Sequence, residues 1–331
     1  MVNRELIRLK VVQLSYAYYQ NGNGNLDIAL KELGFSLSKA YDLYLYMLSL
    51  MVAVHRVAER RVETAANRYR RLGEGEPPST KFIDNQFMAQ LQANQQLLEF
   101  SEDQKKTWAD EEDFVRRLYN QIVESDAYNE WMADPTEPTY AADRDFWRRL
   151  YRAVFVDNED LEQILEDKSL YWNDDRFIVD TFVLKTIKRF DPKTGARQKL
   201  LPEFKDEEDR EFATRLFRAS LLGSENYRMM ISQMLHNWDL NRLALMDLII
   251  MQTALAEICT FPAIPVSVSI NEYVEIAKMY STPQSSRYVN GMLDAIARRL
   301  IDEGKIRKQM AESTESENDS PDKTSEGDEQ D

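Results

Sequence analysis

The 331-residue sequence contains one cysteine, Cys259, and only two histidines. A single cysteine excludes an internal disulfide and is typical of a reducing compartment. Two histidines and one cysteine are too few for a zinc cluster of ordinary spacing. Neither histidine follows a glutamate by three positions, as the metal-binding Glu-x-x-His motif of helical bundles requires. The sequence therefore predicts no metal and no cofactor.

Glycine and proline are also scarce, with ten of each. This scarcity favours helices over turn-rich β-structure, and we expect an all-α fold. The sequence has no phosphate-binding loop of the type GxxxxGK[ST] and no GxSxG nucleophile elbow. These absences predict that the protein is not an enzyme.

Long hydrophobic runs are absent as well. The most apolar stretch, residues 43–54, is too short to span a bilayer and is interpreted as part of a buried helix. The opening MVNRELIRLK becomes charged at once, unlike a secretory signal. We therefore expect a cytoplasmic protein with no membrane partner.

The net charge of −15 is unevenly distributed. Residues 311–331 contain nine acidic residues and one lysine, which leaves a net charge of −7 for the first 310 residues. Because this tail is polar and lacks apolar anchors, we expect it to be disordered. The remaining chain is mildly acidic, so any contact with nucleic acid must come from a local basic patch.

Apolar residues recur at helical spacing through most of the chain. The predicted helices cover approximately residues 3–20, 36–72, 81–100, 102–129, 143–155, 157–168, 174–190, 206–222, 224–236, 240–259, 270–280 and 283–302. Asp239 is a predicted N-cap, Ser269 with Glu272 has capping-box spacing, and Thr282 precedes a proline at the start of the last helix. Residues 263–269 are predicted to be an extended connector.

Three segments carry a family resemblance: residues 3–20, residues 242–258 and, with the most specific pattern, residues 264–300. The third segment contains Ile270-Asn271-Glu272 and the group Val289-Asn290-Gly291 before Leu293-Asp294. Together these segments resemble the NusB family of bacterial transcription antitermination factors.

The resemblance implies an all-α fold of two packed helical bundles. It assigns residues 1–50 to N-terminal NusB-like helices and residues 206–310 to a C-terminal NusB-like subdomain. Residues 51–205 exceed the family's ordinary length and are interpreted as a helical insertion that enlarges the N-terminal subdomain. Residues 311–331 form the acidic tail.

The function implied by the resemblance is transcription antitermination. NusB-like proteins bind boxA-type single-stranded RNA jointly with NusE, a small-subunit ribosomal protein, and join the antitermination complex on RNA polymerase, notably at ribosomal RNA operons. Cationic side chains neutralise phosphates, and aromatic rings stack on unpaired bases. The residues that match the family's RNA contacts, or lie beside them, are Arg4, Arg8, Lys10, Tyr16, Arg287 and Tyr288.

We expect the opening helix and the start of the last helix to form one cationic, aromatic surface. The alternative for Tyr16 and Tyr288 is ordinary half-buried packing. Asp247 is the predicted contact for NusE, and its alternative is a salt bridge to Arg242. Glu257 is predicted to tie its helix to the fold.

Two further features have a structural and a functional interpretation. Gly291 lies inside a helix, where it costs about 1 kcal/mol relative to alanine, and is predicted to permit a close helix crossing. Val289, Leu293, Ile296 and Leu300 form the predicted core stripe of that helix. Six arginines between residues 56 and 71 are either a solvated face or an extension of the RNA surface.

Two alternative functions remain at this point. One is a helical protein–protein scaffold of NusB fold without RNA binding, which the net acidity and an arginine cluster interrupted by Glu5 and Leu6 favour. The other is the RNA-recruiting half of an RNA methyltransferase, but the sequence contains no methyltransferase motif.

Overall fold

The computed structural model describes residues 1–22, 24–73, 76–103, 107–235 and 243–308. Regular structure in these ranges is helical, apart from an isolated β-bridge between Val2 and Phe204. The prediction of an all-α fold is therefore confirmed. The acidic tail, the predicted N-cap Asp239 and Arg242 lie outside the described residues.

Fourteen α-helices lie within the described ranges, joined by short 3₁₀ and π segments. In chain order they are α1 Arg4–Gln20, α2 Leu26–Leu72, α3 Gln86–Gln92, α4 Gln95–Asp103, α5 Glu112–Glu124, α6 Asp126–Ala133, α7 Tyr140–Leu150, α8 Glu159–Lys168, α9 Arg176–Arg189, α10 Glu207–Leu222, α11 Ser224–Met234, α12 Leu245–Thr260, α13 Val266–Tyr280 and α14 Pro283–Asp302.

The chain forms two compact units, Met1–Arg218 and Ala219–Asp331, which divide within α10. The predicted insertion boundary at residue 51 lies in the middle of α2, and the predicted boundary at 205 lies just before α10. The four-part division of the chain into segments stays a prediction.

The first unit is organised around the 47-residue helix α2, which packs against α1, α3, α4, α5 and α9. Asn25 caps its start by accepting hydrogen bonds from the amides of Asp27 and Ile28. Gly73 ends it with a φ of 67°, the left-handed conformation that glycine adopts without strain. The helix begins ten residues before the predicted start, because Asn25 caps it there, and Gly34 is accommodated within it at an exposed position.

The most apolar part of α2 meets the length and composition of a membrane span, but 67% of that 18-residue window is buried in the protein. Burial of this extent is what the core helix of a folded protein shows. The predicted helix at 81–100 is in fact two helices, because Asn94 accepts a hydrogen bond from the Leu97 amide and starts α4.

The second unit contains α11, α12, α13 and α14, which pack on one another. α12 is buried on all sides from Asp247 to Ile258. The predicted core stripe of α14 is confirmed, since Val289, Leu293, Ile296 and Leu300 are all buried.

Two sequence predictions in this unit are wrong. α13 begins at Val266 with Pro265 at its N-cap, so residues 263–269 are largely helical instead of an extended connector. Ser269 lies inside the helix, where its hydroxyl donates to Glu257 Oε1 at 2.7 Å, and it does not cap the helix. The physical reason is that Glu257 is fully buried and needs donors; Tyr273 supplies another at 3.1 Å. The prediction that Glu257 ties α12 to the fold is confirmed.

Gly291 does not serve a close helix crossing. A Cβ placed on it would meet no described atom within 4 Å apart from its chain neighbours and its own helix backbone, and the residue is exposed. The structure gives no packing reason for a glycine at this position.

Candidate nucleic-acid interface

Arg4 stands in the first turn of α1, where its guanidinium is held by two carboxylates of α10. Its Nη2 lies 2.5 Å from Glu208 Oε1, and its Nε lies 3.2 Å from Asp209 Oδ1. The guanidinium carbon also lies 5.1 Å from the centre of the Phe212 ring. Arg4 is 35% exposed and therefore partly open to solvent, but its charge is already compensated.

Arg8, one turn further along α1, is 4% exposed and lies 5.6 Å from the same Phe212 ring. Cation–π contacts of this kind are favourable when the cation is desolvated. The expectation that Arg8 presents its charge at the surface is corrected, because a side chain with this burial does not meet a phosphate.

Lys10 is a structural residue. Its Nζ lies 2.7 Å from Asp175 Oδ1 and donates to the carbonyl oxygen of Tyr171 at 2.9 Å. Both side chains of the ion pair are buried, at 3% and 0% exposure. Burial raises the pKa of Asp175 to about 6, although Lys10 opposes the increase. This corrects the expectation for Lys10, whose charge serves to anchor α1 to the segment before α9.

The end of α1 carries three half-buried tyrosines, Tyr16, Tyr18 and Tyr19. The Tyr16 hydroxyl accepts a hydrogen bond from Gln20 Nε2 at 2.9 Å. Tyr18 and Tyr19 pack edge to face with 5.6 Å between their ring centres. Tyr16 is the predicted RNA contact of this helix, and Tyr18 and Tyr19 add two further partly exposed rings beside it.

In the second unit, Arg287 and Tyr288 occupy the second turn of α14, which Thr282 caps by accepting from the Ser285 amide. Arg287 is exposed and makes no ion pair with any described residue. The Tyr288 ring is half-buried, and its hydroxyl is buried without a hydrogen-bond partner in the described ranges. The structure thus places one open cation beside one partly open aromatic ring.

Asp247, the predicted partner contact, is only 5% exposed. Its Oδ1 accepts no hydrogen bond from the described part of the chain. Burial raises the pKa of Tyr288, and the negative charge of Asp247 raises it further. The predicted RNA contact and the predicted protein contact are therefore electrostatically coupled, which the sequence did not indicate.

The predicted cations and aromatics divide between the two units, with Arg4, Arg8, Lys10 and Tyr16 in the first and the α14 pair in the second. The single shared surface stays a prediction. Within the described ranges, no group of three or more His, Cys, Asp or Glu side chains could hold a metal ion.

The sequence and the structure were compared with those of known proteins. A family model described as the NusB family matches residues 181–298. This range includes Asp247, Arg287 and Tyr288 and leaves out α1. It begins inside residues 51–205, the predicted insertion.

Three curated relatives are each named transcription antitermination protein NusB. That of Salinibacter ruber is 36% identical over 132 residues, which cover 38% of this chain and 82% of the relative. That of Chloroherpeton thalassium is 36% identical over 99 residues, 30% of this chain and 47% of the relative. That of Koribacter versatilis is 40% identical over 100 residues, 30% of this chain and 68% of the relative.

A solved structure of T. maritima NusB matches with 32% identity, covers 38% of this chain and 87% of that one, and has a TM-score of 0.29.

Proposed function

The chain belongs to the NusB family, and on this premise we propose that it is a cytoplasmic, non-catalytic transcription antitermination factor. It binds boxA-type single-stranded RNA together with NusE and acts within the antitermination complex on RNA polymerase, notably at ribosomal RNA operons. The observation that carries the proposal is the 36% identity over 82% of a relative named transcription antitermination protein NusB.

The start of α14 is the proposed centre of RNA binding. Arg287 is an exposed cation without a described partner, so a phosphate can neutralise it without first displacing a carboxylate. The half-exposed ring of Tyr288 next to it offers a face on which an unpaired base can stack. Both residues lie in the range matched by the family model.

The opening helix makes a smaller proposed contribution than its sequence indicates. Tyr16 keeps a partly exposed ring. A phosphate reaching Arg4 must compete with Glu208 and Asp209, while Arg8 and Lys10 are left out because they are buried. RNA affinity of this chain alone should therefore be modest, and simultaneous binding of RNA and NusE raises the effective concentration of each.

Asp247 is the proposed contributor to NusE binding. Because its carboxylate is buried, we assign it an electrostatic role beneath Tyr288, where its charge favours a basic partner surface. The same charge links protein binding to RNA binding. A partner cation that approaches Asp247 changes the electrostatic potential at Tyr288, the proposed RNA contact.

A helical scaffold without RNA binding is the second candidate. The specific observation in its favour is that three cations of α1 are held by internal contacts. The net charge of −15 also opposes the approach of RNA.

A salt-dependent titration separates the two candidates. Binding of boxA-like RNA is measured over a range of salt concentrations, with and without NusE, for the parent protein and for Arg287→Ala. Loss of one phosphate contact should reduce the slope of log affinity against log salt by about 0.7 for single-stranded RNA. Arg298→Ala is the matched control, since Arg298 is 65% exposed on the same helix and pairs with Asp294.

An unchanged slope for Arg287→Ala, or an equal change for Arg298→Ala, would contradict a phosphate contact made specifically by Arg287. No RNA binding even with NusE present would favour the scaffold.

A further inference from the structure

The first unit contains a cavity that the proposed function does not use. It has a volume of about 510 Å³ and lies between α2, α4, α5 and the turn at Trp108. Cavities that hold small ligands commonly measure about 300–1,000 Å³ and have mostly apolar walls with a few polar groups. The walls here follow that pattern, with Val52, Leu97, Trp108 and Val115 among the apolar side chains.

Tyr46 lies in the wall of this cavity. The residue is 2% exposed, and its ring stacks on Trp108 with 4.2 Å between ring centres. Its hydroxyl is buried and has no hydrogen-bond partner in the described part of the chain. Burial raises the pKa of Tyr46, and the charges of Glu111 and Asp110 raise it further, so the hydroxyl keeps its proton. Because this oxygen is itself inaccessible, Tyr46 contributes its aromatic ring, and not its hydroxyl, to the cavity.

Two arginines of α2 line the same cavity. Arg56 and Arg60 are four residues apart, which places them on one side of the helix, and both are exposed. Arg56 makes no ion pair with any residue in the described ranges. Arg60 lies 3.4 Å from Glu112, but both side chains are at least half exposed, so this pair is weak and readily exchanged.

The positive charge continues along α2 beyond the cavity. Residues 56–73 contain six arginines and two glutamates, a net charge of +4 in a chain of net −15. The distal arginines are exposed, and no described carboxylate pairs with them; they are Arg61, Arg68, Arg70 and Arg71. Arg61 lies over the Tyr119 ring, and Arg70 donates to Asn67 Oδ1, so neither charge is neutralised. Exposed cations that continue along the helix beyond the cavity suit a polymer of phosphates better than a single small anion.

We infer that this cavity and the arginines of α2 form a second RNA site, in which the cavity takes one unpaired base and the arginines contact the adjoining phosphates. Single-stranded nucleic acid is bound elsewhere by the same combination of a cationic track with apolar and aromatic surfaces for the bases. The inference rests on the proposed RNA-binding function, and it extends that function to nucleotides outside boxA.

The test compares two RNAs in the presence of NusE: a short RNA limited to boxA, and the same RNA extended on both sides by unpaired uridines. A second site on the same protein should make the extended RNA bind about 10-fold tighter. If the two RNAs bind equally, this inference is overturned while the proposed function stands. If neither RNA binds, the proposed function itself fails, and the inference with it.

Two variants test whether the tighter binding of the extended RNA, called the affinity gain below, comes from this site. Arg56→Ala with Arg60→Ala should remove the gain for the extended RNA, flatten its salt slope by about 1.4 and leave the short RNA unaffected. Ala53→Trp places a large ring in the cavity without changing the charge, and it should also remove most of the gain.

The matched control is Arg149→Ala with Arg152→Ala, two exposed arginines of the same unit that do not line the cavity. This double variant should keep the affinity gain of the extended RNA over the short RNA. A gain that survives the exposed Arg56 and Arg60 substitutions, or one that the control removes equally, overturns the inference even where Ala53→Trp fails to fold.

Discussion

Removing Lys10 should destabilise the first unit strongly, because it would leave a buried carboxylate without its cation. The ion pair between Lys10 and Asp175 is 2.7 Å long and almost inaccessible to solvent. Breaking a buried pair by removing one partner typically costs about 3–5 kcal/mol. We therefore expect Lys10→Met to lose about that much free energy of unfolding at neutral pH.

The pKa of Asp175 indicates how unfavourable the charged carboxylate is even with Lys10 beside it. Burial raises this pKa from 3.8 to about 6 even with Lys10 present. At neutral pH this displacement corresponds to about 3 kcal/mol of destabilisation from the charged carboxylate. Without Lys10 the folded-state pKa should rise further, so the variant should take up a proton on Asp175.

The stability deficit of Lys10→Met should depend on pH through the protonation of Asp175. The folded-state pKa of Asp175 lies above its unfolded value, so its contribution to stability is greatest below pH 3.8 and is lost as the pH rises through the folded-state pKa. The deficit of Lys10→Met relative to the parent protein should therefore narrow between about pH 7.5 and about pH 5.5.

Urea unfolding followed by circular dichroism at both pH values measures this deficit. Lys10→Met with Asp175→Asn is the control, since it removes both charges and should recover most of the loss. A loss below about 1 kcal/mol at neutral pH, or a deficit that widens on acidification, would show that Lys10 does not compensate a buried charge on Asp175. The double variant should also bind RNA like the parent protein, because Lys10 is assigned no RNA contact.

Three further predictions concern the second unit. Gly291→Ala should stabilise the protein by about 0.5–1 kcal/mol, since alanine is the better helix former and its Cβ meets no described atom nearby; a lower melting temperature would restore the close-crossing hypothesis. Ser269→Ala should cost about 1–3 kcal/mol in urea unfolding, because buried Glu257 loses a donor at 2.7 Å; a neutral substitution would contradict this. Leu293→Ala should cost about 2–5 kcal/mol through the cavity it leaves in the α14 stripe, and a loss below about 1 kcal/mol would place Leu293 outside the core.

The sequence predicted most helices because apolar spacing records which side of a helix is buried. α1 and α14 lie within a residue of their predicted bounds, since Asn3 and Thr282 cap them with local hydrogen bonds that depend on neighbouring residues only. α13 was predicted to start too late, because Ser269 has capping-box spacing but is recruited by Glu257, a residue 12 positions away.

The candidate site was harder to predict than the fold for the same reason. In the sequence alone, Arg8 and Lys10 resemble the cations of an exposed helix surface. Whether such a side chain faces solvent or a buried carboxylate depends on Asp175 and on Phe212, which are more than 160 positions away in the chain. The pattern identified the family and the bounds of α14, but it could not separate buried cations from exposed ones.

RNA binding by this member of the NusB family is proposed to occur at the start of α14, and photo-crosslinking examines that contact itself. BoxA-like RNA containing 4-thiouridine is irradiated with the full chain and NusE, and the crosslinked peptides are identified by mass spectrometry. We expect crosslinks on the peptide that contains Arg287 and Tyr288, and their loss in Tyr288→Ala. RNA that binds and crosslinks only elsewhere, with α14 unmarked, would contradict the proposed contact.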